Sequence, residues 1–238
     1  MDLMANTLLA AGASPAMVHA TEEAEQFIQL ANALLINVGT LSPTWVESMK
    51  VAAHFAQKAG KPWILDPVGA GATAHRLEAI MQLMKLRPTL VRGNASEIMA
   101  VAGAAGATSK GVDSTAESTE ALEYGMQLAR TYGCIVAISG AEDLVTDGER
   151  LVRVANGVKM LQSITATGCA VTALAAAFVA CAPEDPLLAT AHAFAVFGLA
   201  SEVAARSAKG PGSLRVGLLD QLYGLEEQQV LSGVRLRD

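Results

Sequence analysis

The sequence predicts an α/β fold in which a mostly parallel central sheet carries helices on both faces. Three observations predict it. Short, nearly continuous apolar runs recur along the chain, as strands covered on both faces require. Stretches with helix-start signals separate those runs, and strand–helix alternation implies βαβ units. The composition, 52% hydrophobic but only 4% aromatic and 17% charged over 238 residues, supplies one sizeable aliphatic core. It excludes a disordered chain, a coiled coil and a collagen-like chain.

In chain order, strands are expected at Ala33–Gly39, Trp63–Val68, Thr89–Arg92 and Ile135–Ser139. Ser42-Pro43 supplies an N-cap followed by Pro at the first helical position, opening a helix to about Gly60. Asn94-Ala95-Ser96-Glu97 has the pattern of a capping box and opens a helix over Glu97–Gly103. Thr115–Tyr132 reads as a long amphipathic helix, and Leu144–Thr146 with Leu151–Val154 as a hairpin about Asp147-Gly148. An apolar helix follows from Cys169 to Cys181; Asp185-Pro186 opens Leu187–Ala208, and Pro211–Gly224 is the last helix. No repeat or linker interrupts the chain, so residues 1–238 are expected to form a single domain.

A net charge of −6, a pI near 5.3 and the absence of a basic run argue against a nucleic-acid footprint. Three cysteines (Cys134, Cys169, Cys181) without CxxC spacing suggest a reducing, cytoplasmic setting, with Cys134 and Cys181 read as core. The amino terminus lacks the charged region and cleavage site of a signal peptide, and Cys169–Cys181 is too short to span a bilayer. The mean hydropathy of +0.35 is therefore assigned to a buried interior and to subunit interfaces, with no membrane partner.

In parallel sheets ligands bind at the carboxyl ends of the strands. Those ends read Asn37-Val38-Gly39-Thr40, Asp66-Pro67-Val68-Gly69-Ala70-Gly71, Arg92-Gly93-Asn94-Ala95-Ser96-Glu97 and Ser139-Gly140-Ala141-Glu142-Asp143, with Thr165-Ala166-Thr167-Gly168-Cys169 opening the apolar helix. Two carboxylates, an arginine and a helix amino terminus suit a phosphate with a divalent metal. The sequence has no GxxxxGK followed by Ser or Thr, no HExxH and no GxSxG. Gly69–Ala74 nearly fits a dinucleotide fingerprint, but the next strand ends in Arg92 rather than in an acidic ribose ligand.

The segments ANTLLAAGASPAM (5–17), INVGTLSP (36–43), LDPVGAGAT (65–73), VRGNASEIMAVAG (91–103) and ATGCA (166–170) occur in that order. This pattern resembles the hydroxyethylthiazole kinases of the ribokinase-like superfamily, from about Ala5 to the Gly210–Ser213 turn. The resemblance implies a ribokinase-like fold and phosphorylation of 4-methyl-5-(2-hydroxyethyl)thiazole by ATP with magnesium. It also implies homotrimers whose sites lie between subunits. Relative to family members, the chain begins in what should be the helix after their first strand and turn, so it is expected to lack those elements.

By resemblance, Cys169 takes the place of the catalytic Asp of sister sugar kinases, and Met17 and Ala166 contact the thiazole. Arg92 and Ser139 bind ATP phosphates with the amides of Thr167 and Gly168, and Asp66 and Glu97 hold magnesium. Each residue also has a bland reading. Cys169 can be a small core residue, Glu97 the third residue of a capping box, Asp66 an Asp-Pro turn and Asp143 a turn residue. Met17 can be core filler, and Thr165 or Thr167 an ordinary helix cap. Arg92 after an apolar strand is costly unless it meets an anion. A thiol at a helix amino terminus is expected to have a lowered pKa. Ala166 stands where the family usually has Gly, which is tolerable only if φ stays negative. The alternatives left open are a hydroxymethylpyrimidine kinase, an ATP-dependent hydrate dehydratase, and a non-catalytic thiazole- or nucleotide-binding subunit.

Overall fold

A computed structural model describes residues 1–107 and 117–238. Among them, β1 (Leu34–Asn37), β2 (Trp63–Asp66), β3 (Leu90–Asn94) and β4 (Ile135–Ser139) pair in parallel, in chain order. The hairpin β5 (Asp143–Thr146) and β6 (Leu151–Val154) extends the sheet antiparallel, and the short β7 (Leu236–Arg237) closes that edge. All four parallel strands thus end on one edge of the sheet.

A sheet that grows in one direction by right-handed crossovers carries its connecting helices on one face. There α2 (Thr21–Leu30), α3 (Pro43–Lys58), α4 (Ala74–Met84), α5 (Ala95–Ala104) and α6 (Glu117–Tyr132) pack on Leu65, Val91, Val136 and Ile138. The other face carries α1 (Asp2–Ala10), α7 (Thr167–Cys181), α8 (Pro186–Ala205) and α9 (Pro211–Gly224), set on Ile64, Leu90 and Ala137. The short α10 (Glu227–Gly233) follows α9. Alternate residues of the same strands feed the two layers, which is why the strands read as unbroken apolar runs.

The expected strands appear with shifted ends. The first stops at Asn37, because the Gly39 amide donates to the Asn37 Oδ1 and turns the chain away. Ser42 caps α3 by accepting from the Trp45 amide at 3.2 Å. Asn94 and Glu97 form the full capping box of α5. The helix expected over Thr115–Tyr132 is present from Glu117; Thr115 and Ala116 lie outside the described residues. Three helices escape the sequence reading, and one of them, α10, follows Pro211–Gly224, which is therefore not the last helix. α2 follows Ala20, which has no capping side chain, and α4 is capped by Thr73, the last residue of the glycine-rich turn. Cys134 is buried and its thiol pushed up to about 12 by burial, whereas Cys181, expected in the core, is exposed at the end of α7.

Among the described residues, α8 is long and apolar enough to cross a membrane, but most of it is buried within the fold, between the sheet and helices α7 and α9. It is a core helix of this sheet's second face.

Candidate functional site

Residues at the ends of β1 to β4 meet the first turn of α7 beside that sheet edge. Asp66, the last residue of β2, is fully buried. Its Oδ2 accepts from the Asn37 Nδ2 at 2.7 Å, and its Oδ1 has no hydrogen-bond partner. Burial raises the Asp66 pKa against the opposing pull of Arg92, and Glu97 adds to the rise. The Cys169 thiol lies against the Asp66 carboxylate and the Asn37 amide.

Arg92 lies within β3 and is only 9% exposed. Its Nη2 donates to the Ser139 Oγ at 2.7 Å, while its Nε is buried without a partner. No carboxylate pairs with it among the described residues. The guanidinium lies on Gly168, where a Cβ would come 2.6 Å from Nη1. A buried cation set on an open helix amino terminus is an arrangement that only an anionic ligand completes. The alternative reading of Thr165 or Thr167 as a helix cap is not met: among the described residues no side-chain cap bond is present at the start of α7. The Thr167 hydroxyl instead donates to the carbonyls of Leu161 and Ile164, in and beside the 3-10 turn Lys159–Ser163. Among the described residues, the orphan amides at the start of α7 have no side-chain cap.

Glu97 uses both carboxylate oxygens on backbone. Oε2 accepts from the Asn94 amide at 2.9 Å, and Oε1 from the Gly69 amide at 2.8 Å. It therefore caps its own helix and ties the turn after β2 to it. Arg76 straps the same turns from the other side, donating to the carbonyls of Val38 and Val68. Asp143 is more than a turn residue. Its Oδ1 accepts from the Gly140 amide at 2.9 Å, and burial raises its pKa to about 6 although Arg92 acts against the rise. Met17 lies between α1 and α2 and is 56% exposed, so it is not core filler.

Two expectations are corrected. The Cys169 thiol is not acidified: burial first, and then the Asp66 charge, push it up to about 11, outweighing the Asn37 hydrogen bond and Arg92. Ala166 does take positive φ, at 65° with ψ 12°, as the N-cap of α7. A left-handed alanine costs about 1–2 kcal/mol. Ala166→Gly removes that cost but adds unfolded-chain entropy worth about 0.4–1 kcal/mol. It is expected to stabilise the chain by about 0.5–1 kcal/mol and to raise the melting temperature by about 2 °C, measured by calorimetry. A lower melting temperature would show that the residue is not strained.

The family model for the hydroxyethylthiazole kinase family matches residues 1–228. This chain belongs to the hydroxyethylthiazole kinase family. It is 53% identical over 239 residues to the hydroxyethylthiazole kinase of Zea mays, covering 99% of this chain and 84% of that protein. It superposes with a TM-score of 0.92 on the hydroxyethylthiazole kinase structure from Pyrococcus horikoshii OT3, at 43% identity, covering 100% of this chain and 89% of that one. A ribokinase-like superfamily protein from Enterococcus faecalis V583 shares the fold at a TM-score of 0.67 and 14% identity, covering 93% of this chain and 81% of that one. The ribokinase-like class follows from the fold, and enzyme identity as a kinase from the family. Asn37, Arg76 and Asp143 are site-edge residues to which the sequence reading assigned no binding role. Asn37 and Asp143 carried a signal, their places in strand-end segments; Arg76 carried none.

Proposed function

We propose that this chain transfers the γ-phosphoryl group of ATP to the hydroxyl of 4-methyl-5-(2-hydroxyethyl)thiazole, a step of thiamine biosynthesis. The observation that carries the reading is the convergence of a buried, unpaired Arg92, the orphaned Asp66 Oδ1 and the uncapped start of α7. Arg92, Ser139 and the Thr167 and Gly168 amides cradle the transferring phosphoryl group. Phosphoryl transfer needs positioning and charge stabilisation more than covalent chemistry. The hydroxyl lies beside Cys169, and its oxygen forms a bond to γ-phosphorus as the bond to the ADP oxygen breaks, its proton passing to a phosphate oxygen. The thiazole packs near Ala166 and Met17.

Asp66 and Glu97 fit a magnesium ion held with the nucleotide. Asp66 Oδ1 is free, and each Glu97 oxygen keeps a lone pair beyond its amide. Among the described residues no cluster of three or more acidic, His or Cys groups could cage a metal. One or two carboxylates with phosphates and water is the usual magnesium pattern. When bound, the ion would neutralise charge developing between the phosphates.

The family's homotrimer gives the exposed Met17 a role in a neighbouring subunit's site. Cysteines that are all free agree with a cytoplasmic setting. A coupled assay of ADP release tests the activity. Release that depends on hydroxyethylthiazole supports it. Release that depends only on hydroxymethylpyrimidine, or no substrate-dependent release, sinks it.

A further inference from the structure

Asn37 is the last residue of β1 and sits opposite Asp66 in the β1–β2 register. Its side chain has no spare polar group. Oδ1 accepts from the Gly39 amide at 2.9 Å, and Nδ2 donates to the Asp66 Oδ2 at 2.7 Å and faces the Cys169 sulfur. The neighbours fix which end is which, because an N–H needs the carbonyl oxygen and a carboxylate needs the amide. An Asn at a strand end often does no more than close such a local turn. Here the other end of the amide reaches 29 residues along the chain to Asp66 and decides which carboxylate oxygen is left open.

We propose that Asn37 is a positioning residue for phosphoryl transfer: pinned by the Gly39 amide, it holds the Asp66 carboxylate and the Cys169 side chain in their working orientation. The proposal rests on the kinase reading above. Gly39 belongs to the same device. A Cβ there would come 2.8 Å from the Asn37 Oδ1, with no other atom nearer than 3.8 Å. Gly39→Ala therefore pushes the amide off its anchor without replacing any site side chain.

The test compares Asn37→Ala, Gly39→Ala and the double variant. Binding of hydroxyethylthiazole and of magnesium with a non-hydrolysable ATP analogue is followed by calorimetry, beside steady-state kinetics and thermal melting. Asn37→Ala is expected to lower kcat about thirtyfold and Gly39→Ala about tenfold, since small misplacements at a reacting centre have effects of this order. The dissociation constant and KM for hydroxyethylthiazole should stay within about threefold, because no thiazole contact is removed. In the double variant, the loss should equal that of Asn37→Ala alone, as expected when Gly39 acts through Asn37. The proposal is overturned if Asn37→Ala keeps kcat within about twofold of wild type, if the two losses multiply, or if kcat and melting temperature collapse together in both single variants. A wild-type protein without thiazole-dependent ADP release would overturn the kinase reading instead. The outcomes above, read with that activity present in the wild type, overturn the Asn37 assignment alone.

Discussion

Arg92→Ala is expected to lower turnover by about 10³-fold and to raise KM for ATP, with the fold intact. The size follows from removing a preorganised cation from a dry site where phosphoryl charge develops. The fold should survive because the guanidinium stabilises little by itself. It is buried, its Nε lacks a partner, and its one hydrogen bond among the described residues goes to the Ser139 Oγ. Desolvating such a cation costs more than that bond returns until an anion arrives. Arg92→Lys should fall between, keeping charge but losing the planar fork.

Gly168→Ala is the companion variant. Alanine favours the helix, so stability should hold or rise. The added Cβ nevertheless needs the space of Nη1, 2.6 Å away, and must displace the guanidinium. A displacement of about 1 Å at this centre should cost about 10²-fold in turnover. Coupled kinetics with thermal melting measure both. Arg92→Ala retaining more than about a tenth of wild-type turnover would remove Arg92 from the phosphate site.

What the sequence could reveal here depended on range. Arg92 was legible because a cation in an apolar strand is anomalous wherever the strand goes. The Asn94–Glu97 box was legible because its four residues carry the whole motif, and the box is present. The unread α4 shows the reverse: Thr73 is its cap, but the glycines before it read as one long turn. Residues whose meaning lies across the sheet were hidden. Asn37 looks like a turn former until β1 is laid beside β2 and Asp66 becomes its neighbour. Asp143 looks like a loop acid until the β4–β5 hairpin folds it beneath the Gly140 amide, close to Arg92. The second grip of Glu97, on Gly69, crosses from α5 to the turn after β2. The thiol expectation failed for the same reason. The helix terminus is a local signal that suggests a lowered pKa, but burial and Asp66, distant in sequence, raise it.

On the proposed reading Cys169 is expected to act as a neutral thiol, and its variants should show this. With the thiol pushed up to about 11, fewer than about one in 10³ molecules carries a thiolate at pH 7. A mechanism that requires the thiolate would make wild-type kcat climb about tenfold per pH unit from pH 7 toward 11. A thiol that only orients the hydroxyl gives no such limb, and kcat should change less than about threefold between pH 7 and 9. The sign of the shift makes this measurable: for the ordinary thiol value of 9.0, a thiolate-driven rate would level off near pH 9, but here it would still be rising. Cys169→Ser keeps a small hydrogen-bonding group on the first turn of α7 and should retain about 1–10% of turnover, the loss reflecting altered reach and packing. Cys169→Ala loses the group and should fall to about 1% or below. Cys169→Asp should be active, because the resemblance to sugar kinases implies that a carboxylate can serve at this position. It stands beside Asp66 at a site whose anionic charge already raises the pKa of its neighbours. A steep alkaline limb in the wild type that vanishes in Cys169→Asp would show that the thiolate is the base. Wild-type turnover in Cys169→Ala at every pH would show that the residue only fills the core.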